Sequence, residues 1–171
     1  MADIRKAADS GELKEIAELA EKIWHECFVG IISEEQIDYM VEKFQSYSAM
    51  TEQTASQGYS YYAVRDGGEL CGYIGMNPED GERFFLSKLY LRKDKRGRGV
   101  ASEMLERVFA EARAAGKSSV YLTVNKHNRH AIDVYIKKGF RMVDEAVTDI
   151  GGGFVMDDYI MEYFLLESSG C

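Results

Sequence analysis

The chain has few of the residues that break regular structure or cross-link it. Its 171 residues include one proline, Pro78, and three cysteines, Cys27, Cys71 and Cys171, which stand far apart. An odd number of cysteines without a Cys-x-x-Cys spacing suggests neither a disulfide framework nor a zinc site. We therefore expect no metal, a reducing cytoplasmic location and a core role for Cys27 and Cys71.

Long apolar runs and a positive net charge are also missing. No segment approaches the roughly 20 apolar residues that a membrane-spanning helix needs, and the N-terminus carries charges where a secretory signal has its apolar core. The formal net charge of −8 argues against a nucleic acid or an anionic membrane as partner. It is compatible with a cationic substrate, although acidity that serves solubility is the simpler explanation.

The spacing of apolar residues predicts one mixed α/β domain over residues 1–171. Segments with a helical period alternate along the chain with short segments rich in aromatic and branched residues, which predict strands. The polar residues 47–57 fit either a short helix or a loop. The predicted helices cover residues 11–28, 33–44, 100–115 and 128–138, and the predicted strands cover residues 3–7, 59–65, 69–76, 84–91, 119–124, 142–148 and 154–165.

One turn combines two glycines with five basic side chains. An apolar strand leads into residues 92–96, Arg-Lys-Asp-Lys-Arg, and Gly97, Arg98 and Gly99 then precede the helix that begins at Val100. Glycines let backbone N–H groups approach a ligand, and the start of a helix adds unpaired donors and a positive dipole. The combination suits a pyrophosphate, although taken alone it fits an exposed basic loop equally well.

Two well-known phosphate-binding motifs are absent from this turn. It has no Gly-x-x-x-x-Gly-Lys-[Ser/Thr] sequence, which excludes a P-loop, and Ser102 stands where a dinucleotide fingerprint needs a third glycine. The turn instead resembles the [Gln/Arg]-x-x-Gly-x-[Gly/Ala] motif of the GNAT (Gcn5-related) N-acetyltransferases. A segment downstream is similar to the second motif of that family. The two motifs read Arg96-x-x-Gly99-x-Ala101 and Asn128-x-x-Ala131-x-x-x-Tyr135-x-x-x-Gly139-Phe140.

The resemblance covers residues 3–165 and is strongest over residues 84–141. It implies an α/β (α+β) fold with a mixed, mostly antiparallel central sheet of about six or seven strands flanked by helices, in which strands 84–91 and 119–124 splay apart. It implies an enzyme that moves the acetyl group of acetyl-CoA, its co-substrate, directly to a primary amine. No metal and no covalent enzyme intermediate are required.

The same resemblance assigns the cofactor site. The pantetheine arm is expected to lie along the strand end at residues 89–91 like an added strand, and the amides of residues 96–102 are expected to hold the pyrophosphate. Asn128 is expected to reach the cofactor arm, although a role as helix N-cap explains it too. The implied cofactor-binding residues are Leu89, Tyr90, Leu91, Arg96, Gly97, Arg98, Gly99, Val100, Ala101, Ser102 and Asn128.

Tyr135 is the catalytic residue that the resemblance implies, as the donor of a proton to the departing CoA thiolate. The base is left open, because many relatives place a Glu on the strand before the turn and this chain has no carboxylate there after Glu82. Ser87 could hold a water in its place, or another element could supply the base. The other candidate bases are His25, Glu26, Tyr39 and Asp157.

The acceptor is expected to be a small-molecule amine bound near the first two helices and the last strands. Aromatic and acidic side chains there suit a polyamine, and the layout is loosely similar to the bacterial spermidine/spermine acetyltransferase subgroup, while a solvated acidic surface explains them equally well. The candidate substrate residues are Trp24, Glu26, Tyr39 and Asp157.

Several alternatives stay open on the sequence alone. A protein N-terminal or lysine acetyltransferase would use the same cofactor site, and an acyl-CoA-binding sensor would bind the cofactor without turnover. A nucleotide-binding α/β protein is a third interpretation. The chain is also compatible with a homodimer, and no nucleic-acid or membrane partner is expected.

Overall fold

The computed structural model describes residues 2–165, and Cys171 lies outside the described residues. Within this range seven strands and five α-helices alternate, with a π-helical turn at Val41–Gln45 and a 3-10 turn at Lys93–Lys95. The strands are β1 (Asp3–Lys6), β2 (Ser60–Asp66), β3 (Glu69–Asn77), β4 (Arg83–Leu91), β5 (Ser119–Asn125), β6 (Arg141–Gly151) and β7 (Phe154–Phe164). The helices are α1 (Ser10–Cys27), α2 (Glu34–Met40), α3 (Tyr47–Ser56), α4 (Val100–Ala114) and α5 (Arg129–Lys138).

All seven strands form one sheet in the order β1-β2-β3-β4-β5-β7-β6. Every neighbouring pair is antiparallel except β4 and β5, which are parallel. These two strands pair only between Arg83–Phe85 and Ser119–Tyr121 and then separate. The predicted α/β fold with a mostly antiparallel sheet and a splayed central pair is therefore confirmed.

A β-bulge in β4 decides which side chains face which layer. The register against β3 shifts between Gly75 and Met76, so that Ser87 is the extra residue. Before the bulge, Leu86 packs in the core beneath α4; after it, Leu89 packs against that core, whereas Lys88 is buried toward α3. The bulge thus inverts the alternation of the strand, as bulges do when they re-aim side chains.

Two layers of helices cover the sheet. Helices α4 and α5 enclose the larger core, and α1 to α3 cover the other face. Helix α1 begins where Asp9 accepts a hydrogen bond from the Glu12 amide, at 2.9 Å, and its apolar stripe is buried against β2 and β3. No helix in this part of the chain is long and apolar enough to cross a membrane.

The segment that the sequence left ambiguous is helix α3. Ser46 caps it by accepting a hydrogen bond from the Ala49 amide, at 3.1 Å. Its apolar periodicity is weak because Met50 and Gln53 are its only buried residues, one apolar and one polar. Gln53 is buried because it bonds to Lys88 and Tyr61, a tertiary requirement that periodicity alone does not report.

Two glycines of β3 make possible the close approach of β4. A Cβ atom on Gly72 would lie 2.6 Å from the carbonyl oxygen of Tyr90, a backbone atom that cannot move without bending the strand. A Cβ atom on Gly75 would meet only side-chain atoms, of Lys88 and Tyr61, at 3.2 Å. A side chain at position 75 could therefore be accommodated by small shifts of Lys88 and Tyr61, whereas a side chain at position 72 could not be accommodated without moving the backbone of β4.

We predict that Gly72→Ala lowers the free energy of unfolding by about 1–3 kcal/mol, the usual cost of overpacking. Gly75→Ala is the matched control and should cost clearly less, because a flexible lysine can shift. Urea denaturation of both variants tests this. An equal loss at the two positions would contradict the close contact between Gly72 and β4.

Candidate active site

A cleft opens where β4 and β5 separate, and its lining residues come from both faces of the sheet. Its volume is about 310 Å³. We call its two parts the α4 end and the α1 end. The α4 end is lined by Arg96, Ala101, Asn128, Ala131 and Tyr135. The α1 end is lined by Trp24, Phe28, Ile32, Gln36, Met40, Phe44, Gln45, Gln53, Tyr59, Ser87, Lys88, Met156 and Asp158.

The glycine turn lies beside the α4 end. Gly97 and Gly99 have φ angles of 79° and 80°, a left-handed conformation that favours glycine. Gly99 is the residue before α4, and the first amide of the helix that bonds back to its carbonyl is that of Glu103, at 3.1 Å. The amides of residues 100–102 therefore have no partner within the helix, which makes this end a natural anion site.

Only some of the predicted residues of this turn line the cleft. Arg96 and Ala101 line the cleft, whereas Val100 is buried in the core under α4. The hydroxyl of Ser102 accepts a hydrogen bond from the Lys138 ammonium, which adds a positive charge near the start of the helix. Gly97, Arg98 and Gly99 belong to the turn but not to the cleft lining, so any contact they make with a ligand is at the mouth.

The strand end at Leu89–Leu91 forms one wall of the cleft. Pairing with β5 ends at Phe85, so the backbone edge of β4 beyond that residue faces the cleft and not a neighbouring strand. Such an edge can pair with an extended ligand as it would with another strand. The Tyr90 ring is partly buried and packs against Trp24 and Tyr73, with ring centroids 5.4 Å away in each case.

Asn128 serves as the N-cap of α5 and lines the cleft. Its side-chain oxygen accepts a hydrogen bond from the Ala131 amide, at 3.3 Å. Helix α5 ends at Gly139, whose φ of 105° is again left-handed, and a Cβ atom there would lie 3.1 Å from the Tyr163 ring. The second motif thus fixes both ends of the helix that carries Tyr135.

Tyr135 lies on the buried face of α5 and is 8% exposed. Its ring packs edge-on against Phe140, at 5.4 Å between centroids, which holds the side chain in place. Burial raises the pKa of Tyr135, and no charged group among the described residues opposes this effect. The phenol is therefore a protonated donor at the wall of the cleft.

Asp158 is the one carboxylate among the described residues that line the cleft. It lies on β7 opposite Asn125 of β5 and is 5% exposed. Burial, followed by the charge of Asp157, raises the pKa of Asp158 to about 6, while Lys126 lowers it. At neutral pH this carboxylate is ionised yet able to accept a proton, which is the property of a general base.

Comparison with known proteins agrees with this geometry. The model of the Acetyltransferase (GNAT) family matches residues 16–140 of this chain. The chain belongs to the GNAT acetyltransferase family. An uncharacterised N-acetyltransferase from Lactobacillus delbrueckii subsp. lactis is 24% identical to this GNAT protein over 165 residues, 92% of each chain. The uncharacterised N-acetyltransferase YjgM of Escherichia coli is 30% identical over 93 residues, 53% of this chain and 56% of its own.

Solved structures of GNAT proteins share the fold. The PaiA N-acetyltransferase of Thermoplasma acidophilum, in complex with coenzyme A, has a TM-score of 0.80 at 22% identity and covers 96% of this chain and 99% of its own. YncA of Salmonella typhimurium, solved with acetyl-CoA, has a TM-score of 0.66 at 19% identity and covers 100% and 98%. At these identities the likeness concerns the fold.

Of the predicted substrate residues in this GNAT protein, only Trp24 lines the cleft. The Glu26 carboxylate accepts a hydrogen bond from the Lys93 amide, at 2.8 Å, and so supports the basic turn. The Tyr39 hydroxyl donates to the Ile150 carbonyl, at 2.6 Å, and anchors the β6–β7 turn. Asp157 is paired with Lys126 at 3.0 Å, so the carboxylate that reaches the cleft is its neighbour, Asp158.

Of the other predicted bases and the cysteines, some line the cleft and some do not. His25 lies outside the cleft and contacts the Asp38 carboxylate at 2.7 Å. Ser87 lines the cleft, and its hydroxyl lies 2.9 Å from that of Tyr59. Cys71 is buried as predicted, but Cys27 is only partly buried and lines the cleft, where its sulfur accepts a hydrogen bond from Arg96 at 3.3 Å.

Lys88 also lines the cleft, although the sequence analysis did not predict it as a site residue. It is 4% exposed, and its ammonium donates to the Phe44 carbonyl, the Gln53 side chain and the Tyr61 hydroxyl, all of them uncharged. Burial lowers the pKa of Lys88 to about 7. A lysine in the middle of the apolar run Phe-Phe-Leu-Ser-Lys-Leu-Tyr-Leu is the signal that could have identified it.

Proposed function

We propose that this GNAT protein transfers the acetyl group of acetyl-CoA to the primary amine of a small molecule, by direct attack of the amine on the thioester. The observation that carries this proposal is one cleft that has a buried phenol, Tyr135, at its α4 end and an ionisable carboxylate, Asp158, on its β7 wall. A proton donor and a proton acceptor on one cleft are what aminolysis of a thioester requires.

The α4 end suits the coenzyme. Unpaired amides at the start of α4, the side chain of Arg96 and the ammonium of Lys138 all favour a pyrophosphate there. The free edge of Leu89–Leu91 can receive the pantetheine arm. The structures with coenzyme A or acetyl-CoA bound to proteins of the same fold support this assignment.

The proposed chemistry uses three groups of this chain. Asp158 accepts a proton from the bound ammonium, and the neutral nitrogen then forms a bond to the thioester carbon. Backbone N–H groups near Leu91 polarise the carbonyl oxygen during the attack. The C–S bond breaks and Tyr135 gives its proton to the leaving thiolate. The phenolate regains a proton from the nitrogen as the nitrogen becomes an amide, so no covalent enzyme intermediate is needed.

The shape of the cleft favours a small acceptor over a protein. Helices α1, α2 and α3 and strand β7 all contribute residues to the α1 end, which encloses the acceptor side instead of leaving a groove along the surface. Proton-transfer groups at both ends also favour a catalyst over a sensor that only binds acyl-CoA. The polyamine acceptors that the sequence suggested gain no support from the structure, because Glu26 and Asp157 lie outside the cleft.

We predict that Tyr135→Phe lowers kcat for acetyl transfer by about 10²-fold or more, because general acid catalysis typically contributes that much. The ring and its packing on Phe140 remain, so the affinity for CoA should not change. Thiol release in the presence of an amine panel measures kcat, and calorimetric titration measures CoA binding. Unaltered kcat would remove Tyr135 from the mechanism.

We predict that kcat/KM for the amine rises with pH up to about 6, the pKa of Asp158. Asp158→Asn should lose this inflection and about 10²-fold of the activity. Asp157→Asn is the matched control: it stays active, and its inflection moves to lower pH because a neighbouring negative charge is removed. Were Asp157→Asn the inactive variant instead, the assignment of the base would be wrong.

A further inference from the structure

The α1 end of the cleft offers an acceptor mainly apolar surface. Three side chains there show rings or aliphatic groups to the cleft without a free polar atom: Phe28, Ile32 and Phe44. The indole N–H of Trp24 is already bonded to the Tyr73 hydroxyl, at 3.2 Å, so that this ring too presents its apolar surface. An acceptor that fills this end must therefore bury an apolar body to gain free energy.

Most polar side chains at this end already have hydrogen-bond partners. The Gln36 amide donates to the Val155 carbonyl at 2.8 Å, and the Gln45 oxygen accepts from the Tyr73 hydroxyl at 2.8 Å. The Gln53 amide donates to the Phe44 carbonyl at 3.1 Å, and its oxygen accepts from Lys88 at 3.1 Å and from Tyr61. Tyr59 and Ser87 bond to each other. These groups stabilise the wall of the cleft, and a polar acceptor would have to break their bonds in order to use them.

The charges at this end are one carboxylate and one lysine. Among the described cleft residues Asp158 is the sole anion, and its proposed partner is the reacting amine. The acidic residues of α1, α2 and β7 that suggested a polycation lie elsewhere: Glu26 bonds to the Lys93 amide, Asp38 contacts His25, and Asp157 pairs with Lys126. A second ammonium would find no counter-ion and would share the cleft with Lys88.

From this arrangement we infer that the acceptor is a monoamine with an apolar body, and that Lys88 helps to exclude diamines and polyamines. The inference rests on the proposed acetyl transfer and deepens it by naming the substrate class. A buried ammonium without a carboxylate partner is strongly unfavourable, and a like charge nearby adds to the cost. The preference for monoamines would come from repulsion between Lys88 and a second ammonium as much as from burial of the apolar body.

The surroundings of Lys88 allow its charge to be followed by pH. The π-helical turn contributes the Phe44 carbonyl, α3 contributes Gln53, β2 contributes Tyr61, and Tyr59 lies just before β2; all of these groups are uncharged. Burial is the only cause that lowers the pKa of Lys88 to about 7. Its charge therefore weakens as pH rises through that value, while alkylamines keep theirs until near pH 10, close to the pKa of a lysine.

The test compares pentylamine with cadaverine, which has the same carbon chain and carries a second amine on its terminal carbon. With the purified protein and acetyl-CoA below pH 7, we expect kcat/KM to favour pentylamine by about tenfold or more. Equal or better use of cadaverine would overturn the inference and leave acetyl transfer intact. If neither amine is acetylated, the inference fails; if no other member of the amine panel is acetylated either by protein that binds acetyl-CoA, the proposed function itself fails.

A variant pair isolates the part played by Lys88. Lys88→Met should narrow the preference for pentylamine, because the repelling charge is gone, whereas Lys22→Met, on the exposed face of α1, should leave the preference unchanged. If Lys88→Met does not fold, the wild-type protein answers the same question, since the preference should narrow as pH rises through about 7. If the preference for pentylamine over cadaverine is the same in the variant and at every pH, Lys88 has no part in choosing the acceptor.

Discussion

The separation of β4 from β5 is the constraint on which the rest of the site depends. The two strands share three residue pairs, Arg83–Phe85 with Ser119–Tyr121, and then part. Beyond that point β5 keeps its pairing with β7, while the free edge of β4 turns to the cleft. The separation of these two strands thus creates the cavity and leaves a backbone edge that can bind an extended ligand. It also connects the two helical layers through the cleft.

The bulge at Ser87 determines which side chains of β4 point to each face of the sheet beside the cleft. It packs Leu89 against the core under α4 and directs Lys88 toward the opposite layer, where three neutral acceptors meet its ammonium. The π-helical turn at Val41–Gln45 supplies one of them, the Phe44 carbonyl. A buried polar network of this kind is stable only when each member is satisfied, so it fixes the geometry of the α1 end.

Local motifs made much of this molecule predictable from its sequence. Glycines at left-handed positions, the cap at Asn128 and the helical periods of α4 and α5 depend on neighbouring residues, and each has the structure that was expected. The mostly antiparallel sheet and its splayed central pair followed from the family resemblance. These features made the α4 end of the cleft predictable from the sequence.

The α1 end was harder to predict because it depends on strand parity and tertiary contacts. Asp157 and Asp158 are indistinguishable in sequence, and which of them faces the cleft depends on the register of β7, whose partner β6 has two irregularities. Glu26 and Tyr39 have suitable chemistry but are used to hold the basic turn and the β6–β7 turn. Lys88 reaches its position only because the bulge precedes it.

Hydrogen exchange measured with and without acetyl-CoA tests the central claim most directly. If the free edge of β4 and the start of α4 hold the coenzyme, the amides of residues 89–91 and 97–102 should exchange more slowly when it is bound, while those of β1 and β2 are unaffected. Binding of acetyl-CoA without protection of these two segments would contradict the account, because the ligand would then occupy another part of the fold.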